Sequence, residues 1–258
     1  MANLLGQIVR KLRIYTPART LKIRLDRLNP AFARHQRQMT AFYAQFVGPG
    51  SLVFDIGANL GNRSEIFLGL GARVIAVEPQ PICHEVLKGL FGHDRRFTLV
   101  PMALGDTPGS ATMYLADMSG LSTLSEDWIR KTKTSGRFAA HDWKQTVTVP
   151  VTTLDALVAE HGSPDFCKID VEGYEPNVLS GLSRSIRAVS FELVAETSEN
   201  AARCIAHMES LGRYEYNSSK SESMSLERAQ WVSGAEMKEI VRTKLHPSYF
   251  GDVYARLA

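Results

Sequence analysis

Short apolar runs alternate with amphipathic segments along most of the chain after residue 50. The runs are rich in Val, Ile and Phe, whereas the segments between them place apolar residues at helical spacing. This alternation predicts an α/β fold in which parallel strands are joined by helices on both faces of one sheet. The predicted strands of this series are 51–56, 73–78, 97–101, 165–170 and 188–193. The predicted helices are 62–70, 81–91, 154–161, 175–182, 199–211 and 234–245.

The middle and the end of the chain depart from this alternation. Residues 111–115 and 146–153 alternate apolar and polar positions, which predicts an antiparallel strand pair. The polar stretch between them, 119–145, is predicted to be a long inserted loop. Residues 214–216 and 252–256 are predicted as the last two strands of the main sheet.

A glycine–proline turn at residues 48–50 divides the chain into a basic arm, 1–48, and a larger domain, 49–258. The arm is predicted to be helical, because apolar residues interleave with basic residues and prolines interrupt the pattern. Residues 1–37 contain nine Lys and Arg and one Asp, a balance of +8, so the remainder carries −5 of the overall +3. The arm and the domain therefore differ in charge.

The composition excludes several classes of protein. The chain is 44% hydrophobic and 22% charged, which is typical of a globular protein and argues against disorder. Its three cysteines, Cys83, Cys167 and Cys204, form no CxxC pair, which argues against a zinc site or a disulfide framework. No apolar run reaches the roughly 18–20 residues of a membrane span, and basic residues interrupt the N-terminal apolar stretch. We therefore expect a cytoplasmic protein.

The segment 53–61 carries the strongest chemical signal. A predicted strand ends near Asp55 and leads through a turn with Gly57 and Gly61 into a predicted helix. Glycines let the backbone approach a ligand closely, and the free N–H groups of a helix start donate hydrogen bonds. In open α/β sheets ligands bind at the carboxyl ends of the strands, where this turn lies.

A turn of this kind binds either a dinucleotide or S-adenosylmethionine. A dinucleotide turn has the pattern GxGxxG and leaves room for a pyrophosphate. Here Asn59 stands in place of the second glycine, and the carboxylate of Asp55 would repel a pyrophosphate. The same carboxylate suits the cationic amino-acid end of S-adenosylmethionine. Asp55, Gly57, Asn59 and Gly61 therefore predict an S-adenosylmethionine site.

Residues after the next two predicted strands complete the predicted cofactor site. Glu78 and Pro79 close the second strand, where a carboxylate accepts hydrogen bonds from ribose hydroxyls. After the third strand, Ala103 and Leu104 would pack near the adenine ring, and Asp106 would accept a hydrogen bond from its amino group. For Asp106, an ordinary surface turn is an equally good interpretation.

Charged residues cluster at and after the predicted strand 165–170. Lys168 and Asp170 share one side of that strand, and Glu172 and Glu175 follow shortly after it. Charges are rarely left unpaired in an interior. These residues therefore either have a functional role, in which they orient or deprotonate an acceptor hydroxyl or hold a divalent cation, or they form a structural Lys–Asp pair. We predict Asp170, Glu172 and Lys168 as catalytic residues, with Asp170 or Glu172 as the base. No metal is predicted, because no histidine joins the cluster.

The order and spacing of these motifs resemble a known family. The motifs FDIGANLG, VEPQP, ALGD, TTLDAL, KIDVEGYE and SFELV, between residues 52 and 193, resemble those of the FkbM-type methyltransferases. The resemblance implies a Rossmann-like class I methyltransferase fold with a seven-stranded, mostly parallel sheet. It also implies S-adenosylmethionine-dependent O-methylation of a hydroxyl on a sugar, glycan, glycolipid or natural product. Residues 120–123 resemble a stretch that the family often has near its active site.

Two other functions stay open at this point. One is a nicotinamide-dependent oxidoreductase, and the other is a non-catalytic S-adenosylmethionine-binding or membrane-docking module. For the arm, apolar residues at helical spacing among basic ones predict peripheral contact with an anionic membrane or glycolipid, with docking on the domain or a homodimer as alternatives. Nucleic acid is not expected as a partner, since the arm has few aromatic residues and the domain is acidic. The apolar positions are Leu4, Leu5, Ile8 and Leu12.

Overall fold

The computed structural model describes residues 29–258, together with residues 21, 22 and 25. Its helices are α1 Pro30–Tyr43, α2 Asn62–Gly69, α3 Pro81–Phe91, α4 Glu126–Thr134, α5 Leu154–His161, α6 Glu175–Ser180, α7 Ser198–Leu211 and α8 Gly234–Thr243. Its strands are β1 Leu52–Ile56, β2 Arg73–Val77, β3 Phe97–Val100, β4 Ala103–Leu104, β5 Gly109–Leu115, β6 Gln145–Thr152, β7 Phe166–Ile169, β8 Ala188–Val194, β9 Tyr214–Lys220, β10 Val232–Ser233 and β11 Phe250–Leu257. Single turns of 3-10 helix occupy Ser119–Leu121 and Ala195–Thr197.

The main sheet of the described residues has eight strands in the order β10–β9–β11–β8–β7–β1–β2–β3. From β8 to β3 the neighbouring strands are parallel. Strand β11 is antiparallel to both β8 and β9. The seven predicted strands are all present, and the eighth is β10, a strand of two residues that pairs with β9. The Rossmann-like α/β fold is confirmed, with one strand more than the resemblance implied.

Helices cover both faces of this sheet, because its central strands β1, β2, β7 and β8 are buried on both sides along most of their length. Helices α1, α2 and α3 bury one set of side chains against one face, among them Phe42, Phe67 and Leu87. Helices α5 to α8 bury another set against the opposite face, among them Leu157, Val178, Ile205 and Ile240.

Helix α1 packs directly on the sheet. It begins at Pro30, since the side chain of Asn29 accepts a hydrogen bond from the backbone N–H of Ala31 at 2.9 Å and proline fits the first helical position. Just beyond its end, the ring of Phe46 stacks on Phe166 of β7 and on Tyr254 of β11, with centroids 5.2 and 5.4 Å away. This part of the predicted arm therefore contributes to the core.

The other apolar positions of the predicted arm, Leu4, Leu5, Ile8 and Leu12, lie outside the described residues. Within the part of the chain that the structure describes, no helix is both long and apolar enough to cross a membrane. The predicted boundary at residues 48 and 49 falls in the turn between α1 and β1.

The insertion forms a second, smaller sheet of three strands, in the order β4–β6–β5. Strands β5 and β6 are antiparallel, which confirms the predicted strand pair. The prediction of a long loop between them is wrong, because that stretch contains helix α4. The side chain of Ser125 caps this helix by accepting a hydrogen bond from the backbone N–H of Trp128, whose indole is fully buried. The helix was missed because Trp128 and Ile129 are the large apolar residues in an otherwise polar segment.

Candidate active site

A cleft of about 360 Å³ opens at the carboxyl ends of β1, β2 and β7. It is lined by the turn after β1, the end of β2, residues 102–104, residues from 118–124 and the loop after β7. Ligands of open α/β sheets bind at this edge, where strand ends and helix starts present backbone N–H groups and polar side chains. The cleft brings together most of the residues that the sequence predicts for a cofactor site.

The turn after β1 needs its two glycines for different reasons. Gly57 has a φ of +80°, and a Cβ atom there would lie 1.8 Å from the backbone oxygen of Asp170. Gly61 has a φ of +84°, and a Cβ atom there would lie 2.4 Å from the ring of Phe91 on α3. Gly57 lines the cleft, whereas Gly61 is not among its lining residues. Gly57 thus permits the close approach of the loop after β7, and Gly61 permits packing of the turn on α3.

Two carboxylates of the cleft, Asp55 and Glu78, are each only 2% exposed. Asp55 accepts a hydrogen bond from the hydroxyl of Ser64 at 2.6 Å, and burial raises the pKa of Asp55. Glu78 accepts hydrogen bonds from the backbone N–H groups of Asn59 and Gln80, both at 2.8 Å. Burial raises the pKa of Glu78 to about 7, although these two donors favour its charged form. Glu78 therefore connects the turn after β1 to the end of β2.

The residues predicted to contact adenine are only partly brought together. Ala103 and Leu104 line the cleft, as does Pro79 beside Glu78, whereas Asp106 is exposed and is not among the lining residues. For Asp106 the structure favours the surface-turn interpretation. The cleft also has apolar lining that was not predicted from the sequence, namely Met102, Met113 and Met118.

A polar segment of the insertion, residues 118–124, covers one side of the cleft. The hydroxyl of Ser119 donates a hydrogen bond to the side-chain oxygen of Asn59 at 2.9 Å. The hydroxyl of Thr123 donates to the backbone oxygen of Glu172 at 2.7 Å. These bonds connect the insertion to both the turn after β1 and the loop after β7. This agrees with the resemblance of residues 120–123 to a stretch near the family's active site.

Lys168 on β7 is 1% exposed and is paired with two carboxylates. Its Nζ donates to Asp170 Oδ2 at 3.1 Å and to Asp252 Oδ1, on β11, at 2.8 Å. The neighbouring negative charges of Asp170 and Asp252 raise the pKa of Lys168 even though burial lowers it, so the ammonium stays charged. An ion pair in this environment fixes the position of Asp170. The side chain of Lys168 thus forms the buried Lys–Asp pair that was one of the two alternatives.

Asp170, Glu172 and Glu192 form an acidic group at the ends of β7 and β8. One carboxylate oxygen of each lies within 4.8 Å of the others, a spacing at which they could hold a divalent cation, although no metal was predicted from the sequence. Burial and the charges of nearby carboxylates raise the pKa of both Glu172 and Glu192. Such a group retains a proton at a pH where an isolated glutamate would be ionised.

Glu175 has a different function from these acids. It is buried, and its carboxylate accepts hydrogen bonds from the backbone N–H groups of Val171 and Gly173 at 3.2 and 3.1 Å. These bonds fold the loop after β7 back on the start of α6. Burial raises the pKa of Glu175 to about 7. The loop geometry that directs Glu172 into the cleft therefore depends on Glu175.

A comparison with known protein families distinguishes among the functions left open by the sequence. Residues 55–218, more than half of the chain, match the Methyltransferase FkbM domain. The chain belongs to this family. The matched domain is a methyltransferase domain, which favours an S-adenosylmethionine-dependent methyltransferase over a nicotinamide-dependent oxidoreductase or a non-catalytic module.

Individual relatives of this chain have low sequence identity to it. Over 146 residues this chain is 27% identical to the hexuronic acid methyltransferase AglP of Haloferax volcanii, and the match covers 55% of this chain and 54% of that protein. The chain thus spans about half the length of this curated relative. It is similar to the precorrin-6Y C5,15-methyltransferase of Geobacter metallireducens (13% identity, 84% and 87% of the two chains, TM-score 0.45). It is also similar to an O-methyltransferase of Bacillus cereus in complex with SAH (10% identity, 95% and 91%, TM-score 0.44).

Two acids near the cleft were not predicted as site residues from the sequence. Glu192 lies in the motif SFELV on β8, and Asp252 lies on β11. A period-two pattern places Glu192 on the same side of its strand as Ser190, which marks a polar stripe in a strand that is otherwise apolar. For Asp252 the signal is a single acid in an apolar strand, which requires a cationic partner.

The buried ion pairs of Lys168 should contribute to the stability of the fold. Asp252→Ala removes the shorter of its two ion pairs and leaves a buried ammonium with one partner, so we expect the free energy of unfolding to fall by about 3–5 kcal/mol. Glu215→Ala is the matched control, because Glu215 on β9 pairs with Arg256 on β11 at 3.0 Å in an exposed position. An exposed pair contributes about 0–1 kcal/mol. Denaturant unfolding measures both, and equal losses in the two variants would contradict a structural role for Lys168.

Proposed function

We propose that this protein uses S-adenosylmethionine to methylate a hydroxyl oxygen of a sugar, either free or within a glycan or glycolipid. The observation that carries the proposal is the acidic group of Asp170, Glu172 and Glu192 beside the cofactor turn. Carboxylates in this arrangement accept hydrogen bonds from neighbouring hydroxyls, and one of them can take a proton as the new bond forms.

The cofactor part of the proposal assigns the residues that line the cleft. S-adenosylmethionine supplies a methyl group that is activated by a positively charged sulfur. We assign the ammonium of its amino-acid end to Asp55 and its ribose hydroxyls to Glu78, since both are buried carboxylates directed into the cleft. Pro79, Ala103 and Leu104 supply apolar contacts for the adenine ring.

The acceptor part of the proposal depends on the raised pKa values of Glu172 and Glu192. An alcohol is a poor nucleophile, so a base must remove its proton during transfer. Glu172 lines the cleft, and a carboxylate with a raised pKa is a stronger base than an ordinary glutamate once it is ionised. Asp170 orients the acceptor, and Lys168 acts as a positioning residue through its bond to Asp170. Holding the hydroxyl and the methyl donor together supplies the remainder of the rate enhancement.

A sugar acceptor is favoured over other hydroxyl compounds by two considerations. Sugars present adjacent hydroxyl groups, which match carboxylate oxygens that lie within 4.8 Å of one another. The curated relative acts on a hexuronic acid, and its similarity covers about half of each chain. A hexuronic acid or its glycoside is therefore the first acceptor class to test.

The basic arm adds a further element to the proposal. Its charge of +8 within residues 1–37 would attract an anionic membrane surface or an anionic glycolipid, at about 1 kcal/mol for each basic residue near that surface. The enzyme would then be cytoplasmic and act at the inner face of the membrane. Docking of the arm on the domain and formation of a homodimer are the alternatives.

The acceptor is tested with methyl-labelled S-adenosylmethionine and matched pairs of uronic acid glycosides and neutral hexose glycosides. We expect labelled product from the uronic acid glycosides, one methyl group heavier by mass spectrometry. The label should survive mild alkali, because an ether is stable there whereas a methyl ester of the carboxylate is hydrolysed. If mild alkali released the labelled methyl group, or if the labelled methyl group appeared only on amines, O-methylation of a hydroxyl would be contradicted.

The acidic group is tested by substitution. Glu172→Gln and Asp170→Asn should each lower kcat by about a hundredfold or more and leave the affinity for S-adenosylhomocysteine nearly unchanged. Glu160→Gln, at a side chain that is 73% exposed, is the control. If Glu172→Gln and Asp170→Asn both lost cofactor binding, these acids would support the fold and not the reaction.

The pH profile gives an independent test of the same group. The rate should rise with pH as Glu172 loses its proton. This rise should occur at a higher pH than the one at which an ordinary glutamate ionises, because burial and neighbouring charges raise the pKa of Glu172. Repulsion between carboxylates is mutual, so Glu192→Gln should lower this pKa and shift the acidic limb of kcat/KM to lower pH. An unshifted limb would contradict the coupling. Loss of activity with a chelator would show that a cation occupies the group.

A further inference from the structure

Arg63, on the first turn of α2, has part of its hydrogen-bonding capacity unused. Its side chain is 15% exposed and lines the cofactor cleft. Nη2 donates to both carboxylate oxygens of Glu222 at 2.7 Å, and Nη1 lies 2.8 Å from the sulfur of Met39. Nε is buried without a hydrogen-bond partner. A buried N–H of a guanidinium group is costly to leave unpaired, so Nε is a donor that a ligand could satisfy.

Arg63 is also the cation of the cleft that a ligand can reach. Of the described residues that line the cleft, Arg63 and Lys168 carry the positive charges. Lys168 is 1% exposed and is neutralised by Asp170 and Asp252, at 3.1 and 2.8 Å. Arg63 has one acidic partner, Glu222, whose side chain is 57% exposed. An anionic group that enters the cleft would therefore meet Arg63.

The position of Arg63 identifies which part of the cofactor it would meet. Arg63 adjoins Ser64, whose hydroxyl donates to Asp55 at 2.6 Å. Asp55 is the acid assigned above to the ammonium of the amino-acid end. In an amino acid the ammonium and the carboxylate are attached to the same carbon atom, so their two protein partners must be neighbours.

We propose that Arg63 binds the methionyl carboxylate of S-adenosylmethionine and exchanges Glu222 for it. The proposal rests on the cofactor assignment of Asp55 made above. A guanidinium binds a carboxylate through two parallel N–H donors, and the unpaired Nε lies beside Nη2 on one such edge. Glu222 follows β9 in an exposed segment, so it can leave Arg63 for solvent at little cost. Glu222 thus competes with the cofactor for the same cation.

The test compares two ligands by calorimetry on the full chain. S-adenosylhomocysteine has the amino-acid end, whereas 5′-methylthioadenosine shares the nucleoside and lacks that end. Arg63→Gln should weaken S-adenosylhomocysteine binding by about ten- to a hundredfold, the range for a hydrogen-bonded charged group, and leave 5′-methylthioadenosine binding nearly unchanged. Glu222→Gln should strengthen S-adenosylhomocysteine binding alone. Arg242→Gln is the matched control, because Arg242 pairs with Glu199 at 2.7 Å away from the cleft.

Three results would overturn the proposal. Equal weakening of both ligands by Arg63→Gln would assign Arg63 a structural role, and unchanged binding of both would mean that the carboxylate lies elsewhere. Weaker S-adenosylhomocysteine binding in Glu222→Gln would exclude the exchange. A wild-type protein that binds 5′-methylthioadenosine but gains nothing from the amino-acid end would instead reject the assignment of Asp55.

Discussion

The geometry of the site depends on the close approach between the turn after β1 and the loop after β7. The backbone N–H of Asp170 donates to the backbone oxygen of Ile56 at 2.9 Å, and the lack of a side chain at Gly57 leaves room for the Asp170 carbonyl. Because β1 and β7 are parallel neighbours, their ends lie side by side. The cofactor turn and the acidic group therefore share one cleft without any long connection between them.

Several acids at one sheet edge repel one another, and the protein stabilises some of these acids more than others. Lys168 compensates Asp170 and Asp252 through direct bonds. Glu78 and Glu175 are stabilised by backbone N–H donors. Glu172 and Glu192 are half-buried with raised pKa values, which follow from burial and the surrounding negative charge. The acids thus divide into those held in place and a pair that can exchange a proton or bind a cation.

The parallel part of the fold could be predicted from the sequence, because β1, β2, β7 and β8 are short apolar runs that are each followed by a helical pattern, and β3 is an apolar run that follows one. The cofactor turn was predictable for a similar reason, since its signal is local in the chain. Helix α4 could not be predicted in this way. Its buried apolar side chain, Trp128, lies in a polar segment, and a single apolar residue does not make a periodic pattern.

The acidic group could be predicted only in part. Asp170 and Glu172 are only two positions apart in the sequence, whereas Glu192 and Asp252 are distant in the sequence and come close to them through the order of the strands in the sheet. Asp106 lies outside the cleft because of the direction in which the chain turns after β4. A single sequence does not specify this direction.

Calorimetric titration of the wild-type protein with S-adenosylhomocysteine and with NADH is the most direct test of the cofactor site. We predict binding of S-adenosylhomocysteine with a Kd on the order of micromolar and no measurable binding of NADH. Glu78→Gln should weaken the S-adenosylhomocysteine complex about tenfold, as expected for a lost hydrogen bond to a charged group. Tighter binding of NADH, or a Glu78→Gln variant that binds S-adenosylhomocysteine as well as the wild type does, would contradict the account.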